Sequence, residues 1–270
     1  MNKRTHLSQE LAKDFSVQEF ESACEYSMDK ISFQMFSNTI ATMGQLLFFL
    51  MDGLAWLWAI ALWPLETLGM SAEDQICHSM VFCLLYQVKS VIESAPYDLY
   101  KNFVIEERHG FNKQTFELWL SDQVKTNLLI VSLGFPAIAL GICIIQWAGP
   151  HFWIYVWLFC LVLLLVFLCI YPNVISPMFN KFSPLQEGEL KTAIEDLARE
   201  NKFPLKKLFV VDGSTRSSHS NAYFYGFGTN KRVVLYDTLN PALLRVENKG
   251  ATDVGDQSSK GKADTVVGLF

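Results

Sequence analysis

The sequence predicts a mostly α protein: a polytopic transmembrane helical bundle of about four spans, followed by a small α+β part on the cytosolic side. Three observations carry this. Phe152–Tyr171 is 20 residues without a charge, and Thr126–Pro150 is 25 more. At about 1.5 Å per residue, twenty residues cover about 30 Å, the hydrocarbon thickness of a bilayer. Charged residues are only 18% of the chain, aromatics are 14%, and the apolar residues are clustered rather than periodic. After Tyr171 the pattern becomes that of a soluble segment with short amphipathic elements.

The spans fall near 38–63, 75–95, 126–148 and 152–171. The first lies within Ile31–Leu65, where Asp52 is the only charge and Trp56, Trp58 and Trp63 suit an interfacial end. The second, within Gln75–Pro96, holds His78, Lys89 and Glu93. Unpaired charge at membrane depth is expensive, so these side chains face the bundle interior, or Lys89 and Glu93 pair across one helical turn. Lys and Arg alternate between loops. Lys3, Arg4, Lys13 and Lys30 precede the first span, Pro64–Asp74 has none, Pro96–Lys125 has four, Gly149–His151 has none, and the part after Tyr171 is rich in both. By the positive-inside rule both termini and the Pro96–Lys125 loop face the cytosol. Met1–Lys30 is polar and mixed in charge, without the basic-then-apolar pattern of a signal peptide.

Cys77, Cys83, Cys143, Cys160 and Cys169 lie in or at spans, Cys24 lies on the cytosolic side, and no C-x-x-C pair occurs. They read as buried soft side chains rather than disulfides or a cysteine zinc site. A net charge of −5 without a basic run gives no reason to expect nucleic acid as a partner.

In the soluble part, Ser183-Pro184-Leu185-Gln186 predicts a helix start, with Leu190, Ile194, Leu197 and Ala198 on its apolar face and Asn201–Pro204 as its end. Leu208–Val211 predicts a strand closed by Asp212-Gly213-Ser214. Asn221–Phe227 and Arg232–Tyr236 predict a hairpin turned at Gly228–Lys231. Residues 245–270 are polar and then briefly apolar, predicting a flexible insert.

Three blocks carry a family resemblance: Asn102–Asn112 (N-F-V-I-E-E-R-H-G-F-N), Pro177–Leu185 (P-M-F-N-K-F-S-P-L) and Phe203–Asp237, with R-S-S-H-S-N-A-Y-F-Y-G-F-G inside it. In this order they resemble the type I CAAX prenyl proteases, membrane-embedded zinc metalloendopeptidases. The resemblance implies a membrane domain at 1–180, the beginning of a peptidase domain at 181–244, and an insert with a lead-in to the zinc helix at 245–270. It implies removal of the C-terminal tripeptide from prenylated CAAX proteins at the endoplasmic reticulum membrane and nuclear envelope, with zinc as cofactor and prenylated CAAX proteins and the lipid bilayer as partners.

That family holds zinc with H-E-x-x-H plus a carboxylate, two histidines one turn apart sharing a helix face and a glutamate acting on the metal-bound water. The five histidines, His6, His78, His109, His151 and His219, include no pair at that spacing and none followed by Glu. No catalytic or metal-ligating residue is therefore assigned, and the 270 residues themselves are expected to be inactive, as a chain cut before the zinc motif. A natural short form that binds prenylated tails or partner subunits without cutting is the alternative. A transporter rests only on spans with charges, without an internal repeat.

By the resemblance Asn221, Ala222 and Tyr223 line the zinc cleft, where an extended peptide adds to the strand edge; the residues alone also read as an ordinary edge strand with aromatic side chains on one face. His219 is either a strand-flanking histidine bonded to a neighbour or a residue facing that cleft. Glu106–Asn112 is either a solvated turn or a scaffold packed on the peptidase part.

Overall fold

A computed structural model describes residues 16–70, 74–219, 221–226 and 228–239. The predicted insert at 245–270 lies outside these residues. The described chain is a helical membrane-type bundle followed by a small sheet, as the sequence predicts.

Helix α1 (Val17–Leu50) begins well before the apolar stretch. Ser16 starts it with a capping box: its Oγ accepts the Glu19 amide at 3.2 Å, and the Glu19 carboxylate accepts the Ser16 amide at 2.9 Å. The segment read as the first span is the second half of α1, bent by 71° into α2 (Gly53–Ile60) and α3 (Leu62–Thr67). The bend sits at Asp52, whose φ is 54°, and Gly53 follows because a Cβ there would lie 2.3 Å from the Phe48 ring. Leu57, Ala61 and Leu65 recur every fourth residue and are buried, giving α2 and α3 one inner stripe.

Helix α4 (Gln75–Tyr100) runs on through π-helical Lys101–Glu106, past Pro96, so most of the predicted Pro96–Lys125 loop is helical and only its centre turns. His78, buried in the span, sits 2.8 Å from the Trp58 carbonyl through Nε2 and packs tilted against the Trp58 ring, with centroids 3.8 Å apart. Lys89 pairs with Glu93 at 2.7 Å.

Helices α5 (Phe116–Leu129) and α6 (Phe135–Ala148) form one rod through π-helical Ile130–Gly134. At Gly149, φ 57°, the chain reverses, and α7 (Phe152–Ile170) returns along α6, with Trp147 edge-on to Tyr155 at 5.4 Å. A third π segment, Tyr171–Ile175, leads into α8 (Ser176–Phe179). The Ile130–Gly134 and Tyr171–Ile175 segments each precede a proline, Pro136 and Pro177, whose missing N–H frees a carbonyl one turn back. Gln75–Glu106 and Phe116–Phe179 are long and apolar enough to cross a membrane, as is the bent α1–α3 pair if it counts as one span. The exposed Leu, Val, Trp and Phe of α7 are a surface for lipid.

Strands β1 (Phe182–Pro184), β2 (Leu205–Val211), β3 (Ala222–Tyr225) and β4 (Lys231–Tyr236) form one sheet in the order β1-β2-β4-β3. β2 and β4 are parallel, and the other pairs are antiparallel. The β3–β4 hairpin is the one the sequence predicts. The predicted helix start at Ser183 is corrected: Ser183 pairs with Val210, Pro184 with Phe209, and the Leu185 amide donates to the Leu208 carbonyl at 3.1 Å. Proline at the end of an edge strand gives up no ladder bond. Helix α9 (Glu189–Glu200) follows Gly188 instead, and its Leu190 and Ile194 cover Leu185, Leu208, Val210 and Leu235 on one face of the sheet.

Candidate functional site

The site is built where the sheet meets the bundle. Arg216, after the short 3-10 turn Gly213–Thr215, reaches into the bundle. Its Nε and one terminal nitrogen donate to the two carboxylate oxygens of Asp122 on α5, at 2.8 and 3.0 Å. It also donates to the Phe179 carbonyl at 2.7 Å and to Asn180 Oδ1 at 3.0 Å. A planar guanidinium fits this two-oxygen acceptor, and both side chains are mostly buried. The backbone that follows lies against the turn after α4. Lys113 N donates to Arg216 O and Ser218 N to Phe111 O, each at 3.0 Å, and Asn112 bridges Ser217. The Glu106–Asn112 turn is thus a scaffold packed against the Arg216–Ser218 segment.

Two histidine–carboxylate pairs flank this contact. His219 Nε2 lies 3.1 Å from Glu106 Oε2 and 3.2 Å from the Tyr26 hydroxyl, and its ring stacks on Phe111 at 4.2 Å. Tyr26 donates to Glu106 Oε1 at 2.8 Å and accepts from Lys30 at 3.1 Å. His109 Nε2 lies 3.0 Å from Asp29 Oδ2, which also accepts from Arg108 at 2.9 Å. Tyr26 is packed edge-on to His109 at 5.3 Å.

Tyr26, Asp29 and Lys30 belong to the polar first turns of α1, ahead of the apolar residues that begin at Ile31. The His109 hydrogen bond, aided by Arg108, holds the Asp29 carboxyl below the usual range. Burial raises the Tyr26 phenol, with Glu106 adding to it and Lys30 opposing.

From this anchor the chain enters β3, the edge strand. The Asn221 carbonyl accepts the Tyr236 amide at 3.0 Å, making Asn221–Tyr236 a hydrogen-bonded pair. With the register Ala222↔Leu235 and Tyr223↔Val234, Tyr223 and Tyr225 direct their amides and carbonyls to β4, and Ala222 and Phe224 direct theirs to the open edge. Asn221 Oδ1 accepts the Ala222 amide at 2.8 Å and so occupies one of those edge groups. The Tyr223 and Tyr225 side chains share the face turned to the end of α7. Arg232 lies over Tyr225 and donates to Asn173 Oδ1 at 3.2 Å. Asn173 in turn donates to the Cys169 carbonyl at 2.7 Å, one turn back from the π segment. Burial raises the Tyr223 phenol above its ordinary value.

The predicted site residues therefore separate. Asn221, Ala222 and Tyr223 are contiguous in and beside the edge strand, with Ala222 presenting its backbone to the open edge, and His219 is turned into the Glu106–Tyr26 contact. Sequence reasoning missed Tyr26, Asp29 and the Arg216–Asp122 pair. A usable signal for the first two was S-x-x-E at Ser16–Glu19, which marks a helix start and carries Tyr26 and Asp29 onto a helix.

The zinc implied by the resemblance does not fit these residues. Among the described residues, no three His, Cys, Asp or Glu side chains are placed to hold a metal ion. His109 and His219 are each engaged by a single carboxylate, and a lone histidine–carboxylate pair falls short of the three protein ligands of a catalytic zinc.

Residues 1–181 match a family profile described as "CAAX prenyl protease N-terminal, five membrane helices", and residues 184–249 match "Peptidase family M48". The chain is 48% identical over 235 residues to the CAAX prenyl protease 1 homolog of Arabidopsis thaliana, covering 86% of this chain and 55% of that protein. It is 43% identical over 235 residues to the Homo sapiens CAAX prenyl protease 1 homolog, covering 87% and 50%. The crystal structure of S. mikatae Ste24p superposes with a TM-score of 0.80 at 37% identity, covering 87% of this chain and 55% of that one. The chain spans about half the length of the curated relatives it matches.

Proposed function

Since this chain belongs to the CAAX prenyl protease family of M48 peptidases, we propose that it forms the membrane and substrate-side part of a zinc metalloendopeptidase. The reaction is hydrolysis of the peptide bond after the prenylated cysteine of CAAX proteins, releasing the C-terminal tripeptide. The site is the endoplasmic reticulum membrane, with the termini cytosolic. A prenylated tail gains about 0.8 kcal/mol per buried CH₂, so the substrate already resides at the bilayer and a membrane enzyme takes it there without extraction.

The observation that carries this reading is the open edge of β3. It presents the backbone groups of Ala222 and Phe224 and is fastened to the bundle by Arg216–Asp122 and His219–Glu106. An extended peptide adds to such an edge as a further strand, main-chain bonds giving affinity. A peptide carbonyl reaching the Ala222 amide displaces the Asn221 side chain, which then turns to the peptide. Tyr223 faces the bundle and shapes that side of the strand.

These 270 residues contain no H-E-x-x-H, so on this reading they bind the peptide without cutting it. Cleavage requires a chain that carries the metal ligands. Binding of a farnesylated CAAX peptide in detergent, compared with the same peptide unprenylated, tests the proposal. Preference for the prenylated form supports it, and equal or absent binding rejects it. Intact mass of the native protein from membranes then separates the two variants. A mass above 30.8 kDa together with chelator-sensitive cleavage marks the protease, and 30.8 kDa with binding alone marks the short binding form.

A further inference from the structure

His219 is engaged through one nitrogen only, and the protons around that nitrogen can be counted. Tyr26 has a single hydroxyl proton, which it donates to Glu106 Oε1. The phenol oxygen also accepts from Lys30. An ionised carboxylate accepts only, so Glu106 Oε2 has no proton to give. His219 Nε2 thus faces two oxygens, at 3.1 and 3.2 Å, that can both only accept from it. The proton must sit on Nε2, and in the neutral ring Nδ1 holds the lone pair. Among the described residues Nδ1 has no hydrogen-bond partner, the His219 side chain is 43% exposed, and Glu106 is only 12% exposed. One face of the ring stacks on Phe111 at 4.2 Å, with 21° between planes. Three residues further on, at Ala222, the chain enters β3.

We infer that Tyr26 and Glu106 are positioning residues for His219: they fix the Nε2–H tautomer and offer Nδ1 as a hydrogen-bond acceptor to an N–H of a peptide docked at the head of β3. The inference rests on the proposed peptide-binding function of that strand. The chemistry resembles a histidine held by a carboxylate in an enzyme site, where the bond at one ring nitrogen sets the character of the other. Here the carboxylate comes from the end of α4 and the phenol from α1. Two membrane helices therefore set the proton position of a residue that belongs to the sheet. The charged groups facing the ring are Glu106 and, through Tyr26, Lys30.

Nitrogen-15 NMR of histidine-labelled protein at pH 8 distinguishes the two neutral tautomers, with His219→Gln identifying the resonances. The wild type is expected to show Nε2–H at His219, and Tyr26→Phe, which leaves Glu106 as the one acceptor, to show a smaller excess of it. Glu106→Gln, whose amide can present its N–H to the ring, is expected to shift the population to Nδ1–H. A wild type in the Nδ1–H form, or averaging between forms, overturns the inference, as does a folded Glu106→Gln protein with the wild-type tautomer. If Glu106→Gln does not fold, the wild-type and Tyr26→Phe spectra decide alone.

Added farnesylated peptide should move the Nδ1 resonance. His219→Gln and Glu106→Gln should each weaken binding about five- to tenfold, as one lost hydrogen bond does, and the double variant no more than either. Peptide that binds without moving Nδ1 rejects the substrate contact. Peptide that does not bind the wild type rejects the proposed function itself, while the same spectra still judge the tautomer.

Discussion

Arg216 and Asp122 lie 94 residues apart in sequence and meet through two nitrogens and two oxygens, at 2.8 and 3.0 Å. The pair is a two-pronged polar tie between the bundle and the segment that leads into β3. The same guanidinium also closes on the Phe179 carbonyl at the end of α8, so one side chain joins three parts of the chain.

Substituting Arg216→Lys should therefore not be conservative. An ammonium cannot reproduce the two-pronged contact, and a mostly buried carboxylate is left under-satisfied. Removing one partner of a buried pair costs about 3 kcal/mol. Thermal melting in detergent should drop by several degrees for Arg216→Lys and for Asp122→Asn, and by less than the sum for the double variant. Additive losses would mean the two side chains act independently.

Ser16→Ala removes the cap from α1 and should cost about 1 kcal/mol locally. Hydrogen exchange should quicken over the first turns of α1, near Val17–Ser22, with the apolar half unchanged. Uniform exchange across α1 in both proteins would show that the capping box does not hold the end.

Gly226 has φ 120°, and a Cβ there would lie 2.1 Å from the Asn230 carbonyl oxygen. Gly226→Ala should distort the turn between β3 and β4, lower the melting temperature and weaken farnesylated-peptide binding. Gly188→Ala, where a Cβ meets open space, is the control and should leave both intact.

Burial disfavours the Tyr223 phenolate, so its folded pKa lies above the unfolded value near 10. Its contribution to stability is fully present below that value and is lost as pH rises through the folded pKa. Denaturant unfolding from pH 9 to 12 should show a steeper alkaline loss in the wild type than in Tyr223→Phe. Parallel curves would place the alkaline transition elsewhere.

The sequence made the bundle and the hairpin legible for different reasons. Charge-free runs such as Phe152–Tyr171 announce themselves by length alone, and Asn221–Tyr236 carries alternation with a glycine-containing turn. Ser183-Pro184 misled because Ser-Pro at a helix start and Ser-Pro at the end of an edge strand read alike. The pairing with Val210 and Phe209 decides between them, and it is tertiary. The site was half legible. Asn221–Tyr223 stood out by family pattern. Tyr26 and Asp122 gave no local sign, because a side chain whose partner lies 80 or 94 residues away looks like any polar residue on a helix surface. The capping box at Ser16 was the one clue left unread.

The order β1-β2-β4-β3 places the last strand of the hairpin in the interior of the sheet, between the strand made long before it and the strand made just before it. As the chain emerges during synthesis, β1 and β2 can form only a two-stranded ribbon, and β3 has nothing to pair with. Both wait for Lys231–Tyr236. The sheet then closes in one event once Tyr236 has emerged, after the membrane helices that precede it in the chain. A ribosome stalled before Tyr236, or a protease that nicks the Gly228–Asn230 turn early, removes the middle of the sheet rather than its margin and leaves two exposed edges for a chaperone or quality-control factor to find.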